Sequence, residues 1–408
     1  MQMLLRSFVE RLRDTGVDLH GSSLSGKRVL LGVTGGIAAV ESVKVCRELR
    51  RHGAEVIVVM THSAQNIISP LAMSWASDAQ VISDWEGEMK QLDDFDAVLV
   101  CPATRHHMAG LLQGMMDTPL LMAVSAARGR QLPIMLVPSM HEDLASDPIT
   151  EEIQMELKRF GMHLHWGPLV EGKRKQDDHT SIVAAFAHMV NSMGKNRRSV
   201  VITLGATRSM IDDVRFIQNM SSGATGWVVA ENLYRHGHDV TVVAGVYSVK
   251  PAFNLPLVIS APEPDEMLKE LTALSNDKID AWIHCAAVLD YVVKDSIEGK
   301  FGSMQGDWKI SLIEGSKHIE KLRELCEGSI RIGFKLESGV KMNDLVHRAS
   351  SQIERAGMTA VIANRLEDID SDSKPRAHLV DKNGEHWALK DNQAIAEAIR
   401  SLIEREDQ

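Results

Sequence analysis

Several things that would send a chain to a membrane or to nucleic acid are missing here. No stretch approaches the roughly 18 consecutive apolar residues of a membrane-spanning helix. Basic residues are outnumbered, 45 against 55 acidic ones, for a net charge of −10. That balance argues against nucleic acid as the main partner, while leaving room for a local basic site that takes a phosphorylated small molecule. Cysteine is sparse. Cys46, Cys101, Cys285 and Cys326 are scattered, without metal-type pairing, which suggests buried thiols in a reducing, cytoplasmic compartment. No G-x-G-x-x-G follows the first strand of either half of the chain, so a nicotinamide-dependent oxidoreductase fits poorly.

What is present is an ordinary globular composition, 44% apolar and 25% charged over 408 residues. At roughly 100–200 residues per domain, two or three domains are expected. The N-terminus resembles a signal peptide only superficially, because Arg6, Glu10, Arg11, Arg13 and Asp14 interrupt it. Leu4, Leu5, Phe8, Val9 and Leu12 fall instead at helical spacing, which predicts an amphipathic helical extension over residues 1–26.

Beyond it, apolar strands alternate with helices. KRVLLGV, AEVIVVMT, FDAVLVCPAT and LPIMLVPSM mark a first unit over 27–191. The polar, basic stretch at 192–198 reads as a linker. The pattern restarts with SVVITLGAT, HDVTVVAG, IDAWIHCAAV, SIRIGFKLE and AVIAN over 199–408, closing with a hairpin at Asn383-Gly384 and a final helix. The predicted fold class is α/β: two Rossmann-like, doubly wound parallel-sheet domains in tandem. Ligands in such folds sit at the carboxyl ends of strands. Four connections therefore stand out: VTGGIA, CPATRHH, TLGATRSMIDDVRFIQNMSSGATG and AAVLDYVVKDSIEGK.

The third connection is about twenty residues long, where a handful is usual. Ser221, Ser222 and the amides of the following helix can donate to an anion, and Arg208 and Arg215 add positive charge. Turn geometry alone would also account for serines and glycines there. The fourth connection adds Asp290, then Lys294 and Lys300 on a Gly-containing stretch. A mobile lysine near a triphosphate suits phosphoryl or nucleotidyl transfer, though lysines on loops are most often simply solvated.

GATRSMIDDVRFIQNMSSGATG, AAVLDYVVKDSIEGK and GFKLES, in this order, resemble phosphopantothenate–cysteine ligase, the synthetase half of the bifunctional Dfp-type proteins of coenzyme A biosynthesis. The resemblance covers about residues 197–404. The first half, from GVTGGIAA through CPAT to VPSM, resembles the flavoprotein half, phosphopantothenoylcysteine decarboxylase. The resemblance implies attack of the substrate carboxylate on a nucleoside triphosphate, favouring CTP. Cysteine's amine would then displace the nucleotide from the acyl intermediate. Lys300 stands at the catalytic lysine of E-G-K and Asn219 at the asparagine that polarises the intermediate. Asp290 stands at an aspartate near the nucleotide and Mg²⁺. Gly205, Ala286, Phe334 and Lys335 would complete the nucleotide site, and Arg208, Arg215, Ser221 and Ser222 would hold the substrate phosphate. Ligase dimers and flavodomain trimers are implied, hence a homo-oligomer acting on small-molecule substrates.

The first half departs from its relatives' pattern. The resemblance assigns decarboxylation to a histidine in G-H-I, an asparagine in P-A-M-N and a flap cysteine. Here these read Gly87-Glu88-Met89, Pro138-Ser139-Met140-His141, and a flap, EGKRKQDDHTS, without cysteine. The asparagine of P-A-T-x-N is replaced by His106. Decarboxylation is therefore expected to be lost or rebuilt. His106, His107 and His141 could form a new acid–base set or a metal site, or be solvated remnants. Thr34, Gly35, Gly36, Thr61, Ser63 and Thr104, together with Gly32 and Asp117, remain compatible with FMN. A fully bifunctional enzyme and a non-catalytic flavin- or nucleotide-binding regulator are the rival readings. Retention of Asn219, Asp290 and Lys300 counts against the second.

Overall fold

A computed structural model describes residues 14–171, 173–303, 306–369, 371 and 373–405. The chain forms two compact units, residues 1–193 and 194–408.

The first unit is built on a five-stranded parallel sheet. Its strands are β1 (Arg28–Val33), β2 (Glu55–Met60), β3 (Ala97–Ala103), β4 (Ile134–Pro138) and the short β5 (His163–Leu164), in the order β2-β1-β3-β4-β5. Side chains alternate across a strand, so β1 feeds two cores. Val29, Leu31 and Val33 face one of them, where α1 (Ser42–Arg51) contributes Val45, Cys46 and Leu49. α2 (Pro70–Ser77) adds Met73 and Ala76 to that core. Leu30 faces the other, with α3 (Arg105–Gln113), α4 (Pro119–Gly129) and α5 (Pro148–Arg159) supplying Met108, Leu120, Val124, Ile153 and Leu157. α6 (His179–Ser192) closes the first face with Ile182, Val183 and Phe186. Burial on both sides explains why these strands read as unbroken apolar runs.

The amphipathic pattern over residues 4–12 lies outside the described residues. Residues 14–26 are described, and they form turns and extended chain rather than the expected helix. The backbone amides of His20 and Leu24 donate to the carbonyls of Arg51 and His52 at 2.8 Å, and Leu24 is fully buried. Residues 14–26 therefore pack as an integral part of the first unit, tied to the end of α1.

The second unit carries an eight-stranded sheet. Its strands are β6 (Ser199–Leu204), β7 (Asp239–Ala244), β8 (Leu257–Ser260), β9 (Ala281–His284), β10 (Ile330–Glu337), β11 (Ala360–Arg365), β12 (Ala377–Asp381) and β13 (His386–Leu389). The order is β8-β7-β6-β9-β10-β11-β12-β13. The first six strands are parallel, and the expected terminal hairpin adds β12 and β13 antiparallel. α7 (Ala224–Arg235), α8 (Pro264–Leu274), α9 (Met342–Ala356) and α10 (Asn392–Glu404) flank the sheet.

Candidate functional site

Each sheet has one place where the chain reverses its direction of travel across the strands, and ligands of open α/β sheets bind outside that point. In the second unit the chain runs from β6 outward to β7 and β8, then returns to β9 on the other side of β6. The loops after β6 and β9 consequently lie side by side. Ala287 N–H donates to Gly205 O at 2.8 Å, and Thr207 N–H returns a bond to Ala287 O at 3.0 Å. Further out, Leu289 N–H donates to Thr207 Oγ1 and Val293 N–H to Ser209 Oγ, both at 2.9 Å. Ala286 N–H donates to Thr203 Oγ1 at 3.2 Å. Gly205 is left-handed, with φ +79°, and a Cβ there would lie 2.6 Å from Val246 O. Only glycine permits this approach.

The long loop uses its extra residues to build a short antiparallel ribbon, Arg208–Met210 against Phe216–Gln218. The ribbon returns the chain so that Asn219 Nδ2 donates to Ala287 O at 3.1 Å. Gly205, Asn219 and Ala286 are thereby brought to one point. Gly223 then enters α7 with φ +78° and no side-chain cap, and Ser222 Oγ lies 3.4 Å from Ala224 N. Apart from Ala224, whose N–H donates to Ser222 Oγ, the first turn of this twelve-residue helix presents amides that can face an anion. Arg208 is half-buried, its Nε lacks a hydrogen-bond partner, and its guanidinium lies 5.5 Å from the Phe216 ring centroid.

Arg215 requires a correction. Expected on the substrate phosphate, its guanidinium is ion-paired with the buried Asp212 and donates to Phe301 O at 2.8 Å. It also lies 4.4 Å over the Trp308 ring, which stacks on Phe301 at 4.4 Å. The Arg215 guanidinium and nearby backbone amides hold the Asp212 carboxyl well below the usual carboxylate range. Arg215 is thus committed to contacts within the loop, whereas the Arg208 Nε has no hydrogen-bond partner.

Asp290 is exposed and ion-paired with Lys317. One carboxylate beside a lysine does not form a protein cage for Mg²⁺, but it does fit a metal carried on nucleotide phosphates. Lys300 is exposed on the same connection. Phe334 and Lys335 lie within β10 rather than at its end, because the strand pairs with β11 as far as Glu337. Lys335 Nζ is 3.1 Å from Glu337.

In the first unit the reversal lies between β1 and β3. Thr34 Oγ1 donates to Pro102 O at 2.8 Å and accepts from Thr104 N at 3.0 Å, joining the two loops. A Cβ on Gly35 would lie 2.2 Å from Ser63 Oγ, and one on Gly36 3.4 Å from Thr104 Cγ2. Thr61 Oγ1 is 3.2 Å from Ser63 Oγ. The six residues expected at FMN therefore converge, on a glycine cradle that a Cβ would fill.

The three histidines do not share one environment. His106 is exposed on the first turn of α3, whereas His107 turns inward and burial pushes its pKa down to about 4. His141 Nδ1 is 3.1 Å from Asp143, and Glu88 is ion-paired with Lys90 at 3.0 Å. No group of three His, Cys, Asp or Glu able to hold a metal occurs among the described residues. Burial raises the pKa of all four thiols, to about 12 for Cys46 and Cys285 and about 11 for Cys326, which leaves them unreactive. The flap residues pair as a ribbon, Leu169–Val170 and Met140–His141 against Lys173–Arg174. They border a cavity of about 670 Å³ lined by Ile37, Lys44, His141, Arg174 and Asp177.

The model of the DNA/pantothenate metabolism flavoprotein C-terminal domain matches residues 195–406, and the flavoprotein model matches residues 18–193. The coenzyme A biosynthesis bifunctional protein CoaBC of Thermococcus kodakarensis is 36% identical over 357 residues, covering 86% of this chain and 88% of that protein. This chain belongs to that family. The CoaBC protein of Haemophilus influenzae is 29% identical across 94% of this chain and 98% of its own. Among solved structures, the DNA/pantothenate metabolism flavoprotein of Streptococcus pneumoniae is 25% identical, with a TM-score of 0.47 over 50% of this chain and 98% of its own. The expected tandem order, flavoprotein half first and ligase half second, is the order in which the two models match.

Proposed function

We propose that the second unit joins 4′-phosphopantothenate to cysteine through an acyl-nucleotide, with CTP as the nucleotide, in coenzyme A biosynthesis. The observation that carries this reading is the bond from Asn219 Nδ2 to Ala287 O at the strand reversal. It fixes an amide dipole where the loops after β6 and β9 meet. Arg208 and the α7 amides, with Ser221 and Ser222 before them, bind the substrate phosphate. Lys300 neutralises charge as the carboxylate attacks the α-phosphate, a step that brings two anions together. Pyrophosphate leaves, and cysteine's amine then expels the nucleotide and forms the amide. Asp290 lies near the metal on the nucleotide's phosphates; the metal would supply further charge neutralisation. Gly205, Ala286 and Phe334 border the nucleotide. The exposed Val214, Phe216 and Met220 in and beside the ribbon after β6, with Tyr291, Leu312 and Ile313 on a second antiparallel ribbon, Tyr291–Val293 against Leu312–Glu314, supply an apolar face for a second copy of the chain.

The first unit, in this reading, binds FMN at Thr34, Gly35, Gly36, Thr61, Ser63 and Thr104 without decarboxylating. FMN would supply a two-electron oxidant. Glu88 and His141 each carry a charged neighbour of their own and take over neither missing role.

The test is incubation of the purified chain with 4′-phosphopantothenate, cysteine, Mg²⁺ and CTP or ATP, followed by mass spectrometry. Phosphopantothenoylcysteine without phosphopantetheine is expected. Phosphopantetheine would restore the bifunctional reading, and no product with either nucleotide would end the ligase reading.

A further inference from the structure

The segment that carries Lys300 is fastened to the ribbon loop on both sides of the lysine. On one side, Gly299 N–H donates to Asp213 Oδ2 at 3.0 Å, and Asp213 N–H donates to Gly299 O at 3.1 Å. On the other, Phe301 N–H donates to Asp212 Oδ2 at 3.1 Å, and Phe301 O accepts from Arg215. One step earlier, Ile297 N–H donates to Ile211 O at 2.9 Å. These contacts join stretches 86 to 89 residues apart in sequence. Lys300 sits between two pinned peptide units, while its own side chain is exposed.

We propose that Asp212 and Asp213 are positioning residues: they clamp the backbone around Lys300 and so hold its ammonium over the site at the β6–β9 reversal. The role of Lys300 on the nucleotide rests on the ligase reading above; the clamp itself does not. A charge that must meet a phosphate in a fixed geometry gains from being held, because loss of alignment by about 1 Å can cost on the order of 100-fold in rate. Asp212 is buried and also supports Arg215 and Val214, so removing it disturbs the whole loop. Asp213 is exposed, and among the described residues its carboxylate accepts from the Gly299 amide alone, which makes it the cleaner probe.

The experiment uses the full-length chain as wild type, Asp213→Ala, Asp213→Asn, Lys300→Ala and the Asp213→Ala/Lys300→Ala pair. Amide hydrogen exchange is read over residues 295–303. In Asp213→Ala this segment should exchange roughly fivefold faster or more, the value of about one lost hydrogen bond, while β6 stays unchanged. Asp213→Asn keeps an acceptor oxygen and should exchange like wild type. In CTP-dependent ligation, Asp213→Ala should lower kcat on the order of 10- to 100-fold with KM for cysteine held within about twofold. Asp213→Asn should recover most of the rate, and the double variant should be no slower than Lys300→Ala, as residues acting through one another require. Unchanged exchange in Asp213→Ala would overturn the clamp. Rate losses that multiply in the double variant would overturn the action through Lys300. A wild-type chain that ligates with neither nucleotide ends the ligase reading, while the exchange measurement still decides the clamp.

Discussion

Asn219 and Ala287 meet at 3.1 Å, side-chain amide to backbone carbonyl, although 68 residues separate them in sequence. That bond closes the long loop after β6 onto the loop after β9. Asn219→Asp replaces the donor with an acceptor facing a carbonyl oxygen. We expect ligation to fall by two orders of magnitude or so, by loss of alignment. The melting temperature should change little, because Asn219 is only half-buried. A variant of wild-type rate would remove Asn219 from the site.

The two arginines of the loop should separate cleanly. Arg208 has an unpartnered buried Nε, whereas Arg215 is spent on Asp212, Phe301 and Trp308. Arg208→Ala should raise KM for 4′-phosphopantothenate with little change in stability. Arg215→Ala leaves the buried Asp212 carboxylate without its cation, and that kind of loss is strongly destabilising. It should lower the melting temperature. Thermal melts beside substrate titrations distinguish the two, and equal effects on KM would contradict the assignment.

Much of the fold was legible because buried parallel strands write themselves as apolar runs, and RVLLGV, EVIVVM and SVVITL each became the strand expected of them. The glycine cradle of the first unit was also legible, since Gly35 and Gly36 follow a strand directly. The use of Arg215 was not. A guanidinium in a polar loop reads the same whether it faces a phosphate or a carboxylate, and its partner Asp212 was visible only as one of two adjacent acids. The contact of Asp213 with Gly299 spans 86 residues and leaves no periodic trace. Phe334 reads as a strand end, yet β10 runs on to Glu337, because IRIGFKLE keeps a strand-like alternation without marking where it stops. Residues 14–26 defeated the helical reading because their order comes from backbone bonds to the end of α1, not from an amphipathic face.

Glycine substitutions should sort by surroundings. Gly205 and Gly384 both have positive φ, +79° and +77°. Alanine at either costs about 1–2 kcal/mol for the left-handed backbone. At Gly384 the nearest outside atom to a Cβ is 3.8 Å away, so the cost ends there. At Gly205 the Cβ would press on Val246 O at 2.6 Å, and the crossing of loops must open. Denaturant midpoints should fall modestly for Gly384→Ala and further for Gly205→Ala, with activity lost only in the latter. Equal midpoints would show that the crossing is soft.

Mild acid should destabilise the second unit before its carboxylates titrate. Burial pushes the pKa of His284 down to about 3 and that of His318 to about 4. Both are neutral in the folded chain at pH 7, and unfolding frees them to titrate near 6.5. A folded pKa below the unfolded one means the unfolded state binds protons first as pH falls, so stability drops from about pH 6.5 towards 4. Asp212 has the same sign in a lower window: its carboxyl is held down by Arg215, so its contribution is present above the ordinary carboxylate range and is lost as pH falls below it. His284→Gln should therefore flatten the stability profile between pH 6.5 and 4.5. A profile as steep as wild type would mean that other groups dominate this window.

The last prediction concerns the first unit, where binding and chemistry should come apart. Thr34 joins the loops after β1 and β3, and Gly35 and Gly36 leave room that a side chain would fill. We expect the purified chain to take up FMN, and Gly36→Leu to abolish the flavin absorbance without unfolding the unit, since Gly36 is only half-buried and a Cβ there meets nothing nearer than Thr104 Cγ2 at 3.4 Å. His141→Asn would place the asparagine that the proposed reading expects at this position and free it from Asp143. By itself it should not restore release of carbon dioxide from phosphopantothenoylcysteine. In the reading proposed above, Glu88 stands at the histidine position, exposed and paired with Lys90, and the flap has no thiol to protonate an intermediate. Proton transfers need each group within hydrogen-bond reach, and one repaired residue supplies only one of them. Carbon dioxide release by the single variant, or by the wild-type chain, would show that the rebuilt site carries the decarboxylation after all.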